Sequence, residues 1–275
     1  MEVDRSRALD DAFSKVPQVS LAFWIVKILA TTLGETGGDA LSMTLNLGYA
    51  VSTMIFLAFF LVTLTAQVRS KHYHPVFYWA VVVATTTVGT TTSDYFDRTL
   101  GLGYVRASAI LLALVLIILF VWKRTTGEIA VDKVTTRSNE IFYWVAILVS
   151  NTLGTALGDF TADSAGLGFE RGALIFAGLI AIVAALHFFT GISKSILFWA
   201  AYILTRPLGA TLGDTLTKPP ASGGLNLGRI VSSLTIAVLM IILIAVTRLK
   251  HRTSSPQHAY ANDSRLLERN ARAAG

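Results

Sequence analysis

Eight long apolar stretches separated by short polar breaks run along the chain, near residues 18–38, 48–67, 76–94, 104–122, 141–159, 170–190, 196–214 and 228–247. A helix needs roughly 20 mostly apolar residues to cross a hydrocarbon core. The pattern therefore predicts an all-α integral membrane protein with eight transmembrane helices. Even-numbered stretches such as 110–119 and 239–244 are uniformly apolar, as a lipid-facing helix should be. The odd-numbered ones hold nearly everything polar and are expected to form a central polar bundle inside a ring of even ones. A cytoplasmic segment over 1–17, a membrane domain over 18–250 and a disordered cytoplasmic tail over 251–275 complete the predicted organisation.

The odd stretches are copies of one another. Each has an aromatic-Trp pair, a Gly ten residues after the Trp and an Asp five residues after that Gly: Trp24/Gly34/Asp39, Trp79/Gly89/Asp94, Trp144/Gly154/Asp159 and Trp199/Gly209/Asp214. A Leu-Gly step follows each, delayed by five inserted residues in the fourth copy. The repeats span about 18–68, 75–123, 140–191 and 195–250, and their tryptophans lie 55, 65 and 55 residues apart, the spacing of two successive duplications. Two spans per unit make the units parallel, related by an axis along the membrane normal.

These residues resemble a bacterial membrane family of unknown function built from four tandem repeats, each with two transmembrane regions and a characteristic tryptophan. The resemblance covers about 16–250 and implies architecture and membrane location; it carries no settled activity.

Composition agrees with the pattern: 53% of residues are hydrophobic, 15% charged, and mean hydropathy is +0.60. A soluble domain carries about 25% charge. Sixteen Lys and Arg fall on the side of the termini, five on the opposite side and two within spans, which predicts cytoplasmic termini and a bacterial inner-membrane location. The net charge of +6 is thereby explained by topology, and nucleic-acid binding is not expected. The absence of cysteine removes disulfides, thiolate ligands and a cysteine nucleophile. No nucleotide-binding loop, zinc-protease motif or nucleophile elbow occurs, so neither an enzyme nor a cofactor is expected.

Within the odd stretches, Gly34, Gly89, Gly154 and Gly209, each with a small residue four positions on, make small-xxx-small faces for close packing. The same glycines could instead loosen the helix around a cavity. The tryptophans read as an interfacial belt or as packing between repeats, with a cage for a cationic ligand as the lesser alternative. Asp39, Asp94, Asp159 and Asp214 lie about 22 Å past their tryptophans. They either cap the outer turn or form a carboxylate ring at the mouth of a pathway.

Two repeats depart from their siblings. Repeat one carries Lys27 and Glu35 with Thr31 and Asp39 on a single stripe. Repeat four carries Arg206 near mid-membrane, followed by Pro207, which removes a helical N–H. An ionisable side chain there costs about 2.5–3.5 kcal/mol on insertion scales. A Glu35–Arg206 or Glu35–Lys27 pair would lock repeats together; alternatively Glu35 is a coupling site tuned by these bases. Thr31 and Asn151 join the carboxylates along the expected pathway. A gradient-driven carrier of a small hard cation (H⁺, Na⁺, Mg²⁺ or Mn²⁺) is the preferred expectation. A scaffold and a passive channel are the alternatives. No metal site is assigned, and the oligomeric state is not legible.

Overall fold

The computed structural model describes residues 16–17, 19–70, 73–127, 129 and 136–253, with only the backbone for 250–253. Most of the expected terminal segments 1–17 and 251–275 lies outside the described residues. The described chain is all-α, with eight long helices: α1 Leu21–Asp39, α2 Gly48–Arg69, α3 Pro75–Asp94, α4 Tyr104–Thr126, α5 Arg137–Asp159, α6 Phe169–Phe189, α7 Lys194–Thr217 and α8 Arg229–Thr253. Local chemistry sets several of their ends. The Ser20 side chain accepts from the Phe23 N–H at the start of α1, and Thr136 does the same for Asn139 at the start of α5. Pro75 opens α3, where its missing N–H costs nothing. Gly127, at φ 84°, ends α4 in the left-handed conformation.

Six helices are long and apolar enough to cross a membrane: α2, α4, α5, α6, α7 and α8, with α5 extended to Ser164 and α8 counted to Leu249. That is the signature of a membrane protein. The polar residues of α1 and α3 dilute their apolar character, and most of those residues are buried inside the bundle: Lys27, Thr31, Glu35 and Asp39 in α1, and Thr85, Thr86, Thr87, Thr90, Thr91 and Asp94 in α3.

The odd helices pack as a closed ring, α1 against α3, α3 against α5, α5 against α7 and α7 back against α1. Even helices surround them, and each leans on the odd helix of the next repeat: α2 on α3, α4 on α5, α6 on α7, and α8 on α1. The repeats therefore interlock, and the fourth closes onto the first. Burial follows this arrangement. In the spanning windows of α5 and α7, 67% and 72% is buried, against 17–28% for the even helices. Ile110, Leu116, Leu174 and Ile241 accordingly show their side chains outward, where a lipid-facing surface needs them.

Close approach inside the ring depends on the glycines. A Cβ at Gly154 would meet Arg206 Cβ at 2.5 Å and Pro207 Cδ at 2.9 Å, and one at Gly209 would come to 2.8 Å from the backbone of Thr31. Gly34 faces Thr86 and Gly89 faces Asn151 in the same way. Each glycine thus receives the residue seven past the tryptophan of the next repeat. Hydrogen bonds follow the same register: Thr86 donates to the Ala30 carbonyl at 3.2 Å, Asn151 Nδ2 to Thr85 Oγ1 at 3.0 Å and Thr31 to the Thr205 carbonyl at 3.1 Å.

At the tryptophan end, rings close a second circle. Phe23 packs on Trp79, Tyr78 on Trp144, Tyr143 on Trp199 and Phe198 on Trp24, with centroids 5.5–6.0 Å apart. The four tryptophans are packing residues between consecutive repeats in this arrangement. The Tyr78 and Tyr143 hydroxyls share a buried bond of 2.7 Å. Tyr78→Phe is expected to cost about 1–3 kcal/mol, because it strands the Tyr143 hydroxyl away from water. Adding Tyr143→Phe should recover most of the loss, as unfolding of the detergent-solubilised chains would show.

At the other end, the three Asp residues of α1, α3 and α5 are each followed by a five-residue π-helical turn: Ala40–Thr44, Tyr95–Thr99 and Phe160–Ser164. Nothing in the hydropathy pattern marks this widening. Repeat four has no such turn; its inserted residues form the short 3-10 turn Pro220–Ser222 and fold back, with Leu225 N–H on the Thr215 carbonyl and Asn226 N–H on that of Lys218. This return brings Arg229, at the start of α8, to the head of the ring.

Candidate functional site

Inside the ring, equivalent positions spaced four residues apart stack in layers, and all sixteen side chains are buried. From the tryptophan end they are Lys27, Val82, Ile147 and Tyr202; then Thr31, Thr86, Asn151 and Arg206; then Glu35, Thr90, Thr155 and Ala210; and last Asp39, Asp94, Asp159 and Asp214. The first layer is apolar apart from Lys27 and the Tyr202 hydroxyl.

Arg206 ties the middle of the ring together. Its Nη2 donates to Glu35 Oε2 at 2.9 Å, to Thr90 Oγ1 at 2.5 Å and to Thr155 Oγ1 at 2.6 Å, so one nitrogen on α7 reaches α1, α3 and α5. The Thr90 hydroxyl also lies 3.3 Å from Glu35 Oε2. Pro207 sits within a continuous α7 beside Gly154 of α5, which makes room for the stem of Arg206. Glu35 is paired with Arg206 and not with Lys27; the Lys27 ammonium lies over the Tyr202 ring, 4.1 Å from its centroid.

The four Asp carboxylates close the far end of the ring, and basic side chains cover them. Arg98 pairs with Asp94 at 3.0 Å and reaches toward Asp159 at 3.9 Å and Asp163 at 4.0 Å. Lys218 bridges Asp39 at 3.2 Å and Asp214 at 3.3 Å, and Arg229 adds a contact to Asp39 at 3.3 Å. Burial works against the Lys218 charge, but Asp214 and Asp39 outweigh it and hold its pKa above the ordinary lysine value. Lys218 therefore stays an ammonium throughout the physiological range. Arg98, Lys218 and Arg229 are the site residues that sequence reasoning passed over, having counted them only as outer-side charges. Two of them carried a signal, since Asp94 and Arg98, like Asp214 and Lys218, lie four residues apart. Repeats one and three have Met43 and Asp163 at that position, so the bases alternate around the ring.

Together these groups bring five buried carboxylates to the axis, against five bases: Lys27, Arg206, Arg98, Lys218 and Arg229. Counting Arg98, Lys218 and Arg229 with Lys27 and Arg206 makes bases and carboxylates equal in number there. Oxygens of Glu35, Asp39 and Asp214 lie within 4.8 Å of one another, close enough to share one hard cation. Thr31 and Asn151 serve the contacts between helices described above and stand one layer below Glu35.

Four interlocked two-helix units, six of whose helices could span a membrane, define a repeat-built membrane protein. The chain belongs to the family described as Repeat of Unknown Function (DUF347), whose model matches it four times, over residues 22–73, 77–128, 142–193 and 197–253. No curated protein and no solved structure matches the chain.

Proposed function

We propose that the protein is a carrier of a small hard cation, driven by a gradient, with all eight helices crossing the bacterial inner membrane and both termini in the cytoplasm. The observation that carries this reading is the buried set Glu35, Asp39 and Asp214, held together on the axis with Arg206 and Lys218 on its carboxylates. In this reading the two bases occupy the cation's place in the empty carrier and give it up when the ion arrives. Oxygen donors of this kind suit H⁺, Na⁺, Mg²⁺ or Mn²⁺. The lipid bilayer is the protein's surroundings; no nucleic acid, cofactor or chemical reaction enters the proposal.

A second reading, a scaffold whose charges only lock the repeats, is favoured by the reach of Arg206 Nη2 to the other three odd helices. The lock explains the Asp layer only as further ion pairs between repeats, and a buried ion pair adds little stability over an apolar filling. An open channel has no observation in its favour, because Arg206 lies across the axis.

Binding separates carrier from lock. A cation that binds the folded protein raises its unfolding midpoint by linkage. In a choline background, one of Na⁺, Mg²⁺ or Mn²⁺, or a shift in pH, should raise the wild-type midpoint and leave an Asp39→Asn/Asp214→Asn chain unchanged. Lys218→Gln should lower stability without the ion and enlarge the ion's effect, because it removes a competitor from both carboxylates. A wild-type midpoint indifferent to every cation and to pH would leave the lock.

A further inference from the structure

On the tryptophan side of the Glu35–Arg206 pair, several buried hydrogen-bond donors have no acceptor among the described residues. Among them are Lys27 Nζ, Arg206 Nε and Nη1, and the Tyr202 hydroxyl. Lys27, Arg206 and Tyr202 are each at most 1% exposed. The three side chains are neighbours: Lys27 Nζ lies 4.1 Å from the centroid of the Tyr202 ring, and Tyr202 and Arg206 are one turn apart on α7.

Buried donors rarely go without partners, and one lacking them calls for an explanation such as a bound water or ion. Each of these four atoms can donate a hydrogen bond. The guanidinium uses only Nη2 on Glu35, Thr90 and Thr155, and leaves its other two nitrogens free. The guanidinium and the Lys27 side chain have one carboxylate near them, that of Glu35, and it is taken up by Nη2. Val82 and Ile147, at the positions equivalent to Lys27, offer no acceptor.

We propose that Lys27 Nζ, Arg206 Nε and Nη1 and the Tyr202 hydroxyl form a binding site for one small monovalent anion, of the size of chloride or formate. An acceptor-only ion bound between these side chains supplies the partners that the donors lack. Charge-assisted bonds to such an ion are the strong class of hydrogen bond. The site lies two to three layers from the Asp ring, on the opposite side of Glu35, and its existence does not depend on cation transport.

The test compares unfolding midpoints of the detergent-solubilised full chain in sodium chloride, sodium formate and sodium gluconate at equal ionic strength. Constant sodium makes the comparison blind to the proposed cation site. Chloride, formate or both should raise the wild-type midpoint in proportion to the logarithm of concentration above the dissociation constant, and gluconate, too large to enter, should not. If only formate acts, the natural ligand is a small carboxylate; if chloride acts, it is a halide-sized ion. Lys27→Met is expected to fold, since two sibling repeats carry Val82 and Ile147 in its place. It should also lose the anion response. Tyr202→Phe keeps the ring under Lys27 and removes only the hydroxyl, so it should weaken the response about tenfold, the cost of one bond to a charged group. An anion response of wild-type size in either variant, or equal wild-type midpoints in all three salts, overturns the assignment.

Discussion

Arg206→Met is expected to destabilise the protein by about 3–5 kcal/mol, the usual cost of removing one partner from a buried ion pair. The size follows from what is left behind. Glu35 is 3% exposed, and its partner nitrogen on Arg206 is 2.9 Å away. Without the guanidinium its carboxylate must stay charged in a poorly solvated place or take up a proton. Thr90 and Thr155 lose less, because both also donate to backbone carbonyls, of Gly34 and Thr86 in the first case and Asn151 in the second. Adding Glu35→Thr, the residue that two sibling repeats carry, removes the stranded charge and should return most of the stability. Unfolding of the four chains of the double-mutant cycle measures the coupling directly. An Arg206→Met chain as stable as the wild type would mean that Glu35 has another partner.

The second large effect is steric. Alanine in place of a helical glycine normally gains up to about 1 kcal/mol, and Gly178→Ala on α6, where nothing lies within 4 Å, should show that gain. Gly154→Ala should do the opposite. Its Cβ would lie 2.5 Å from Arg206 Cβ and 2.9 Å from Pro207 Cδ, and neither the base of a side chain nor a proline ring can swing aside. Forcing atoms into a packed interior costs about 1–3 kcal/mol. The strain falls on the residue that holds the hub, so Gly154→Ala should also weaken the coupling between Glu35 and Arg206. Equal unfolding free energies for the Gly154 and Gly178 variants would contradict the close ring.

Much of this architecture is legible in the sequence because the membrane leaves few alternatives. Apolar runs of the right length mark helices, and the four Trp/Gly/Asp sets mark equivalent positions, which the fold stacks into layers. Boundaries are less legible: α5 begins at Arg137, earlier than the apolar run near 141, because Thr136 caps it, and hydropathy does not register caps. The π-helical turns after Asp39, Asp94 and Asp159 have no counterpart in any periodicity. Interlocking was hidden too, since the sequence does not say whether an even helix packs on its own repeat or the next.

For the site, the unusual residues Lys27, Glu35, Arg206 and Pro207 stood out against their siblings. The choice between Glu35–Arg206 and Glu35–Lys27 could have been narrowed: eight residues of helix place Lys27 about 12 Å along the axis from Glu35. Arg98, Lys218 and Arg229 were masked by a simpler duty, because outer-side charges are expected of any membrane chain. Arg229 could not have been found from local spacing, since only the folded-back insertion of repeat four brings it to Asp39.

Flux across proteoliposomes tests the central claim, that the Glu35 layer is the coupling site of a cation carrier. Wild-type and Glu35→Gln chains, both shown to be folded, are compared with a panel of Na⁺, K⁺, Mg²⁺ and Mn²⁺ and an internal pH dye. The account predicts saturable uptake of one hard cation, or proton movement, by the wild type and its loss in the variant. Wild-type flux equal to that of empty liposomes for every ion, or a variant that transports as well as the wild type, would contradict it.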